Sequence, residues 1–183
     1  MFACEGLIKL CLDETAGVPG DIAEIGVYKG ESAIFIAENT TGKLVLFDTF
    51  AGMPKEMVTL PMDSHNAESF GDTSLQHCEH KLSRFNGRID FRPGVFPRTA
   101  CESDGPFRFV HIDVDLYLST KAALEFAYRR LSPGGRILCD DYCESTQGSI
   151  KAIDEFRRQH PEFDARIQSH RVIIQHKEAP SAN

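Results

Sequence analysis

The stretch DIAEIGVYKGESAIFIAEN, residues 21–39, passes from an apolar strand pattern through two glycines into a helix pattern. Residues 21–27 are typical of a buried strand and residues 31–39 of a helix. Gly26 permits close approach of a ligand to the backbone, and Gly30 stands where free amides open a helix. The pattern is not the dinucleotide fingerprint, because Tyr28 occupies a position where that motif has glycine. It predicts the first unit of an α/β sheet that binds a ligand at this turn.

The same alternation continues along the chain. Helix patterns occupy residues 74–86 weakly and residues 119–131 and 147–160 clearly, and two strands across a tight turn fill residues 165–177. Further strands are expected at 43–49, 88–94, 107–114 and 135–142. Strands that alternate with helices predict a doubly wound α/β sheet, mostly parallel, with an antiparallel pair at the chain's end.

We expect one domain over residues 1–183, a length sufficient to bury a core. Residues 1–18 predict a short amphipathic N-terminal helix, whose apolar side favours self-association into a homo-oligomer. Residues 50–73 lack any period and are long for a connection, which is typical of a lid or substrate loop. Residues 178–183 are expected to fray.

Charge and cysteine usage exclude several classes of protein. Twenty basic against 27 acidic residues give a net charge of −7 with no basic block, which argues against a nucleic-acid partner. No apolar run approaches the ~20 residues that span a bilayer, and the N-terminus does not resemble a signal peptide. The six cysteines form no CxxC motif, as expected of reduced thiols in a cytoplasmic protein.

Four carboxylates follow two predicted strands. Asp113 and Asp115 stand two positions apart in HIDVDLYLST, residues 111–120, and Asp140 and Asp141 end the next strand. Neighbouring strand ends would crowd these acids on one rim, where their mutual repulsion favours a bound Mg²⁺, Mn²⁺ or Ca²⁺ ion. A single aspartate could instead cap the helix that follows it. Two acidic pairs at successive strand ends favour the metal site.

Asp48, at the end of the second strand, adds a candidate ribose ligand. A turn or capping aspartate is an equal reading of Asp48 alone, but the glycine turn favours nucleoside binding. A metal-bound hydroxyl loses its proton more easily, and a nearby carboxylate accepts it. The two halves together indicate a transferase that modifies an alcohol with a nucleoside cofactor.

Six blocks occur in an order that resembles the macrocin O-methyltransferase family: EIGVYKGES, LFDTFAGMP, PGVFPRT, HIDVDLYLST, LSPGGRILCDDY and IKAIDEF. The resemblance covers roughly residues 17–160, and the joint presence of DVDLY and DDY carries most of it. It implies a Rossmann-like class I methyltransferase fold with seven strands, the last antiparallel. It also implies an S-adenosylmethionine-dependent enzyme that methylates a hydroxyl of a small molecule, such as a sugar or glycosylated natural product.

The resemblance also assigns roles to residues. Asp115 would be the general base. Three carboxylates would hold a divalent ion, usually Mg²⁺: Asp113, Asp140 and Asp141. Four residues would contact S-adenosylmethionine, the first three at its methionine portion and the last at its ribose: Glu24, Gly26, Gly30 and Asp48.

Two other functions remain open at this point. A Mg²⁺-dependent phosphatase of the haloacid dehalogenase type would use Asp113 as nucleophile and Asp115 as acid, although such enzymes place DxD after their first strand. A non-catalytic S-adenosylmethionine-binding partner protein is the third possibility. Among the histidines, His65 in the long loop is a weak candidate substrate contact, and His111 is expected to be a hydrogen-bonded core residue.

Overall fold

The computed structural model of the protein describes residues 4–58, 61, 63, 65, 66 and 69–177. Seven strands form one sheet: β1 (Asp21–Ile25), β2 (Leu44–Asp48), β3 (Ile89–Pro93), β4 (Phe107–Ile112), β5 (Leu131–Cys139), β6 (Phe163–Gln168) and β7 (Arg171–His176). Five α-helices accompany them: α1 (Glu5–Glu14), α2 (Glu31–Glu38), α3 (Leu75–Leu82), α4 (Tyr117–Tyr128) and α5 (Gln147–Gln159).

The strand order is β3-β2-β1-β4-β5-β7-β6. Strands β1 to β5 pair in parallel, and β7 runs antiparallel to both of its neighbours. This confirms the doubly wound, mostly parallel sheet with an antiparallel final strand. Because the order reverses direction between β1 and β4, the crevice outside their carboxyl ends is where such a sheet binds ligands.

Two apolar layers cover the sheet. Leu7, Ile8 and Leu12 of α1 pack with α2 and α3 on one face, and the apolar sides of α4 and α5 cover the other. Adjacent residues of β1 alternate between the layers, as the two-residue period of a strand requires. Strands β1, β2, β4, β5 and β7 therefore supply residues to both layers, whereas β3 and β6 each supply residues to one.

Strand β5 begins earlier than the sequence predicts. We expected Ser132-Pro133-Gly134-Gly135 to end a helix at Leu131, but α4 ends at Tyr128 and β5 begins at Leu131. Leu131 pairs with Phe107, whereas Arg136 pairs with Phe109, so the extra residues lie in an irregularity of the ladder. Proline and glycine are typical of loops, but a bulged strand tolerates both, and for this reason the sequence pattern is misleading here.

Three further predictions concern the long loop, the C-terminal tail and a membrane span. Within residues 50–73, the described part contains one short 3₁₀ turn, Lys55–Met57. The tail 178–183, for which fraying was expected, lies outside the described residues. None of the helices in the described ranges has the length and apolar character needed to cross a bilayer.

Candidate active site at the carboxyl end of the sheet

A cavity of about 360 Å³ opens at the carboxyl ends of β1, β2 and β4. Its wall joins the glycine turn after β1 to the acidic rim after β4. Six of its lining residues carry the argument below: Gly26, Asp48, His111, Asp113, Asp115 and Asp140. The two halves of the predicted site thus line the same cavity.

Asp48 organises the turn that follows β1. Its Oδ2 accepts hydrogen bonds from the backbone amides of Val27 at 2.6 Å and Tyr28 at 2.9 Å. Its Oδ1 accepts one from the amide of Phe50 at 2.6 Å. Each carboxylate oxygen has two acceptor positions, so Oδ2 is fully used by the turn. Oδ1 keeps one position, which the Thr49 hydroxyl approaches at 3.4 Å, for a polar ligand in the cavity.

The four predicted cofactor residues do not all reach the cavity. Gly26 and Asp48 line it, whereas Gly30 is buried behind the turn and begins α2 with a φ of 81°. Glu24 is fully buried and pairs with His111 across the β1–β4 ladder, with its Oε1 2.8 Å from Nδ1 of the imidazole. His111, expected in the core, lines the cavity and separates Glu24 from it.

The Glu24–His111 pair carries charge inside the fold. Burial disfavours the imidazolium, but the hydrogen bond and charge of Glu24 outweigh that effect and raise the pKa of His111 to about 9. Oε2 of Glu24 is buried and has no hydrogen-bond partner among the described residues.

Three of the four rim carboxylates converge. Oxygen atoms of Asp113, Asp115 and Asp141 lie within 4.8 Å of one another. The backbone fixes this arrangement, because Asp115 adopts a left-handed conformation with a φ of 59° and donates its amide to Oδ2 of Asp141 at 2.8 Å. Such a conformation is uncommon outside glycine, and aspartate is among the residues that tolerate it.

Burial and mutual repulsion change the acidity of the cluster. Desolvation, followed by the charge of Asp141, raises the pKa of Asp115 to about 8. The same two causes raise the pKa of Asp113 well above its usual range, and desolvation raises that of Asp141. Crowded carboxylates with raised pKa values, all presenting oxygen ligands, fit a hard divalent cation such as Mg²⁺.

Asp140 differs from the other three. It lines the cavity but forms a two-point ion pair with the guanidinium of Arg171, the first residue of β7. The clustered oxygens thus belong to the predicted base and to the predicted ligands Asp113 and Asp141. The third predicted ligand, Asp140, is paired with Arg171 instead. Sequence reasoning did not find Arg171, because it follows a tight turn and joins the site only through the pairing of β7 with β5.

Known O-methyltransferases resemble this chain in sequence. A family model described as Macrocin-O-methyltransferase (TylF) matches residues 8–169. Mycinamicin III 3''-O-methyltransferase from Micromonospora griseorubida is 34% identical over an alignment of 165 residues, and the match covers 79% of this chain and 63% of that protein. A Streptomyces olivaceus enzyme, 8-demethyl-8-(2,3-dimethoxy-alpha-L-rhamnosyl)-tetracenomycin-C 4'-O-methyltransferase, is 33% identical over 141 residues, covering 69% of this chain and 54% of that enzyme.

A solved structure, that of the O-methyltransferase NovP, shares the fold. It superposes with a TM-score of 0.79 at 23% identity and covers 95% of this chain and 79% of its own. Our chain spans between 54% and 63% of the length of the two curated relatives.

Proposed function

The chain belongs to the macrocin O-methyltransferase (TylF) family, and on that premise we propose that it is an S-adenosylmethionine-dependent O-methyltransferase. One observation carries the proposal: a single cavity joins the glycine turn and Asp48 to Asp113, Asp115 and Asp140. A methyl donor bound at the turn and a hydroxyl bound at the rim would share this space. Neither a phosphatase nor a non-catalytic binding protein would use both halves of the site.

S-adenosylmethionine is proposed to bind along the turn after β1. Gly26 lines the cavity there, although the carbonyl of Asp113 fills the space of its missing side chain, and the carboxylate of Asp48 would lie beside the ribose in this class of sheet. Gly30 contributes by turning the chain into α2, and Glu24 contributes through His111. These two residues are therefore proposed to shape the cofactor site without touching the ligand.

A divalent cation, with Mg²⁺ the first candidate, is proposed at the acidic rim. Asp113 and Asp141 would hold it. Asp140, the third expected ligand, would have to exchange Arg171 for the ion. The cation would lower the pKa of a hydroxyl group bound beside it.

The reaction then needs little from the protein beyond alignment and a proton acceptor. Asp115 would accept the proton of the acceptor hydroxyl. S-adenosylmethionine, held at the turn beside Asp48, would supply the methyl group to the hydroxyl oxygen and leave as the thioether S-adenosylhomocysteine. The carboxylic acid of Asp115 finally releases its proton to water. In the metal-free fold the pKa of Asp115 is raised to about 8 by desolvation and the charge of Asp141. A cation held by Asp113 and Asp141 would lower this pKa and so keep Asp115 ionised as the proton acceptor.

The acceptor is proposed to be a sugar hydroxyl on a natural product. The two curated relatives are named for methylation of a rhamnosyl tetracenomycin at 4' and of mycinamicin III at 3''. The net charge of −7 agrees with a small neutral acceptor and not with nucleic acid. Cytoplasmic localisation stays a prediction. So does a homo-oligomer, although the apolar side of α1, on which that prediction rested, is packed inside the fold.

Incubation with S-adenosylmethionine and Mg²⁺ tests the function. We expect methylation of the rhamnosyl tetracenomycin or of methyl α-L-rhamnoside, detected by mass spectrometry together with S-adenosylhomocysteine. Cofactor binding without transfer to any sugar hydroxyl would favour a non-catalytic binding protein. Hydrolysis of p-nitrophenyl phosphate without cofactor binding would favour the phosphatase.

A further inference from the structure

Two residues of the long loop reach the segment that carries the proposed base. Nε2 of His65 lies 3.5 Å from Oδ1 of Asp115. Oδ1 of Asp63 accepts a hydrogen bond from the backbone amide of Tyr117 at 3.0 Å. His65 and Asp63 of the loop thus contact Asp115, just before α4, and Tyr117, its first residue.

Asp63 supplies the hydrogen-bond acceptor that the N-cap residue of α4 lacks. The N-cap residue of that helix, Leu116, has no side chain that can accept from the first-turn amides. A carboxylate at a helix N-terminus accepts such an amide and interacts favourably with the helix dipole. The contact holds the loop against the residues that follow Asp115.

Gly148 leaves the space that Asp63 occupies. A Cβ atom at this position would overlap Oδ1 of Asp63 and lie 3.0 Å from the amide nitrogen of Tyr117. Gly148 lies in the first turn of α5, where glycine weakens a helix relative to alanine. Its place there is explained by the approach of the loop.

The other end of the loop is attached to the cofactor turn. The ring of Phe70 packs edge-on against Tyr28, with centroids 5.2 Å apart, and its centroid lies 5.0 Å from that of His65. Asp72 accepts a hydrogen bond from the hydroxyl of Tyr28 at 2.6 Å and pairs with Lys29. His65 therefore lies between two attachments, one at each half of the site.

We infer that His65 is a positioning residue for methyl transfer: held over the rim by Asp63 and Phe70, it orients the carboxylate of Asp115 toward the acceptor hydroxyl. The inference rests on the proposed function, in which Asp115 takes the proton. The main chain at Asp115 is fixed by its φ of 59° and by the bond to Asp141, which leaves the side-chain rotation to be set. The imidazole of His65 contacts Oδ1 and so selects one orientation of the carboxylate.

Kinetics of three variants test the role of His65. His65→Ala should lower kcat about tenfold to a hundredfold and leave KM for S-adenosylmethionine unchanged, because misalignment of the base affects the chemical step. His65→Gln should recover most of the rate, since its amide can donate from nearly the position of Nε2. The exposed His80 on α3 provides the control, and His80→Ala should match the wild type.

Hydrogen exchange tests the loop contact without turnover. In the complex with S-adenosylhomocysteine, Asp63→Ala and Gly148→Ala should both speed exchange of the amides at the start of α4. His80→Ala should leave them protected. Alanine is the better helix former, so Gly148→Ala should keep α5 folded.

The outcomes separate this inference from the proposed function. A wild-type kcat in His65→Ala, or unchanged exchange in both loop variants, would overturn the inference while methylation by the wild type stood. A wild-type protein that binds S-adenosylhomocysteine but methylates neither rhamnosyl probe would count against the proposed function. In that case the exchange experiment alone decides whether the loop holds the Asp115 segment.

Discussion

Asp115 combines an unusual backbone with an unusual acidity. A left-handed conformation in a non-glycine residue costs of order 1 kcal/mol, and such costs concentrate at functional sites. Here the conformation points the side chain back into the cluster formed with Asp113 and Asp141. The same position in an extended strand would direct the carboxylate elsewhere.

Asp115→Asn should remove the proton acceptor and leave the shape of the site unchanged. Asparagine also tolerates the left-handed conformation, so the backbone should stay in place. We expect the methylation rate to fall about 10²- to 10⁴-fold and the affinity for S-adenosylhomocysteine to remain, measured by initial rates and calorimetry. Methylation at the wild-type rate would show that another group takes the proton.

The carboxylate cluster predicts a pH dependence of stability in metal-free protein. Unfolded aspartates titrate near pH ~4, whereas the pKa of Asp115 in the fold is raised to about 8. Between these values the native state binds more protons than the unfolded chain, so the free energy of unfolding should fall as pH rises through this window.

Thermal melting of metal-free protein from pH 4 to pH 8 measures this fall. Asp115→Asn should reduce it, and substitution of the exposed Asp164 by asparagine should not. Mg²⁺ should restore the melting temperature at the upper end of the range. Identical pH profiles for wild type and Asp115→Asn would contradict the raised pKa.

At the scale of elements, the turn between β1 and α2 depends on one glycine. Gly26 has a φ of 89°, and a Cβ there would overlap the backbone carbonyl of Asp113, which follows the adjacent strand. The turn and the acidic rim are therefore in direct backbone contact. A substitution that displaces the turn should therefore also displace the acidic rim.

Gly26→Ala should destabilise the fold by about 3 kcal/mol or more, since it combines backbone strain with overlap against a fixed carbonyl. Urea unfolding measures the loss. Gly17→Ala is a matched control, because nothing lies within 4 Å of a Cβ at that position. Equal stability of the two variants would contradict the close approach of the two segments.

The sequence predicts most elements to within a few residues, because buried parallel strands are apolar runs and each is separated by a glycine or proline signal. It fails at the start of β5, where Ser132-Pro133-Gly134-Gly135 belongs to a bulged strand. It also fails at contacts made over long separations by segments without a period. The Asp140–Arg171 pair and the His65–Asp115 contact are of this kind.

On the scale of the whole molecule, the reversal of strand order between β1 and β4 brings the two predicted half-sites together. Sequence reasoning places each half at a strand end, and the sheet topology then makes them neighbours. What topology does not determine is which side chains turn into the cavity. Glu24 shows this, because its strand position is adjacent to the turn while its carboxylate is buried against His111.

One measurement tests the central claim, that a cofactor site and a cation site share this rim: thermal melting of metal-stripped protein with S-adenosylhomocysteine, with and without Mg²⁺. Specific binding to the native state raises the melting temperature by mass action. We predict a rise with S-adenosylhomocysteine and a separate rise with Mg²⁺ that Asp113→Ala abolishes. No rise with S-adenosylhomocysteine would contradict the methyltransferase, and a Mg²⁺ effect that survives in Asp113→Ala would contradict the cation site.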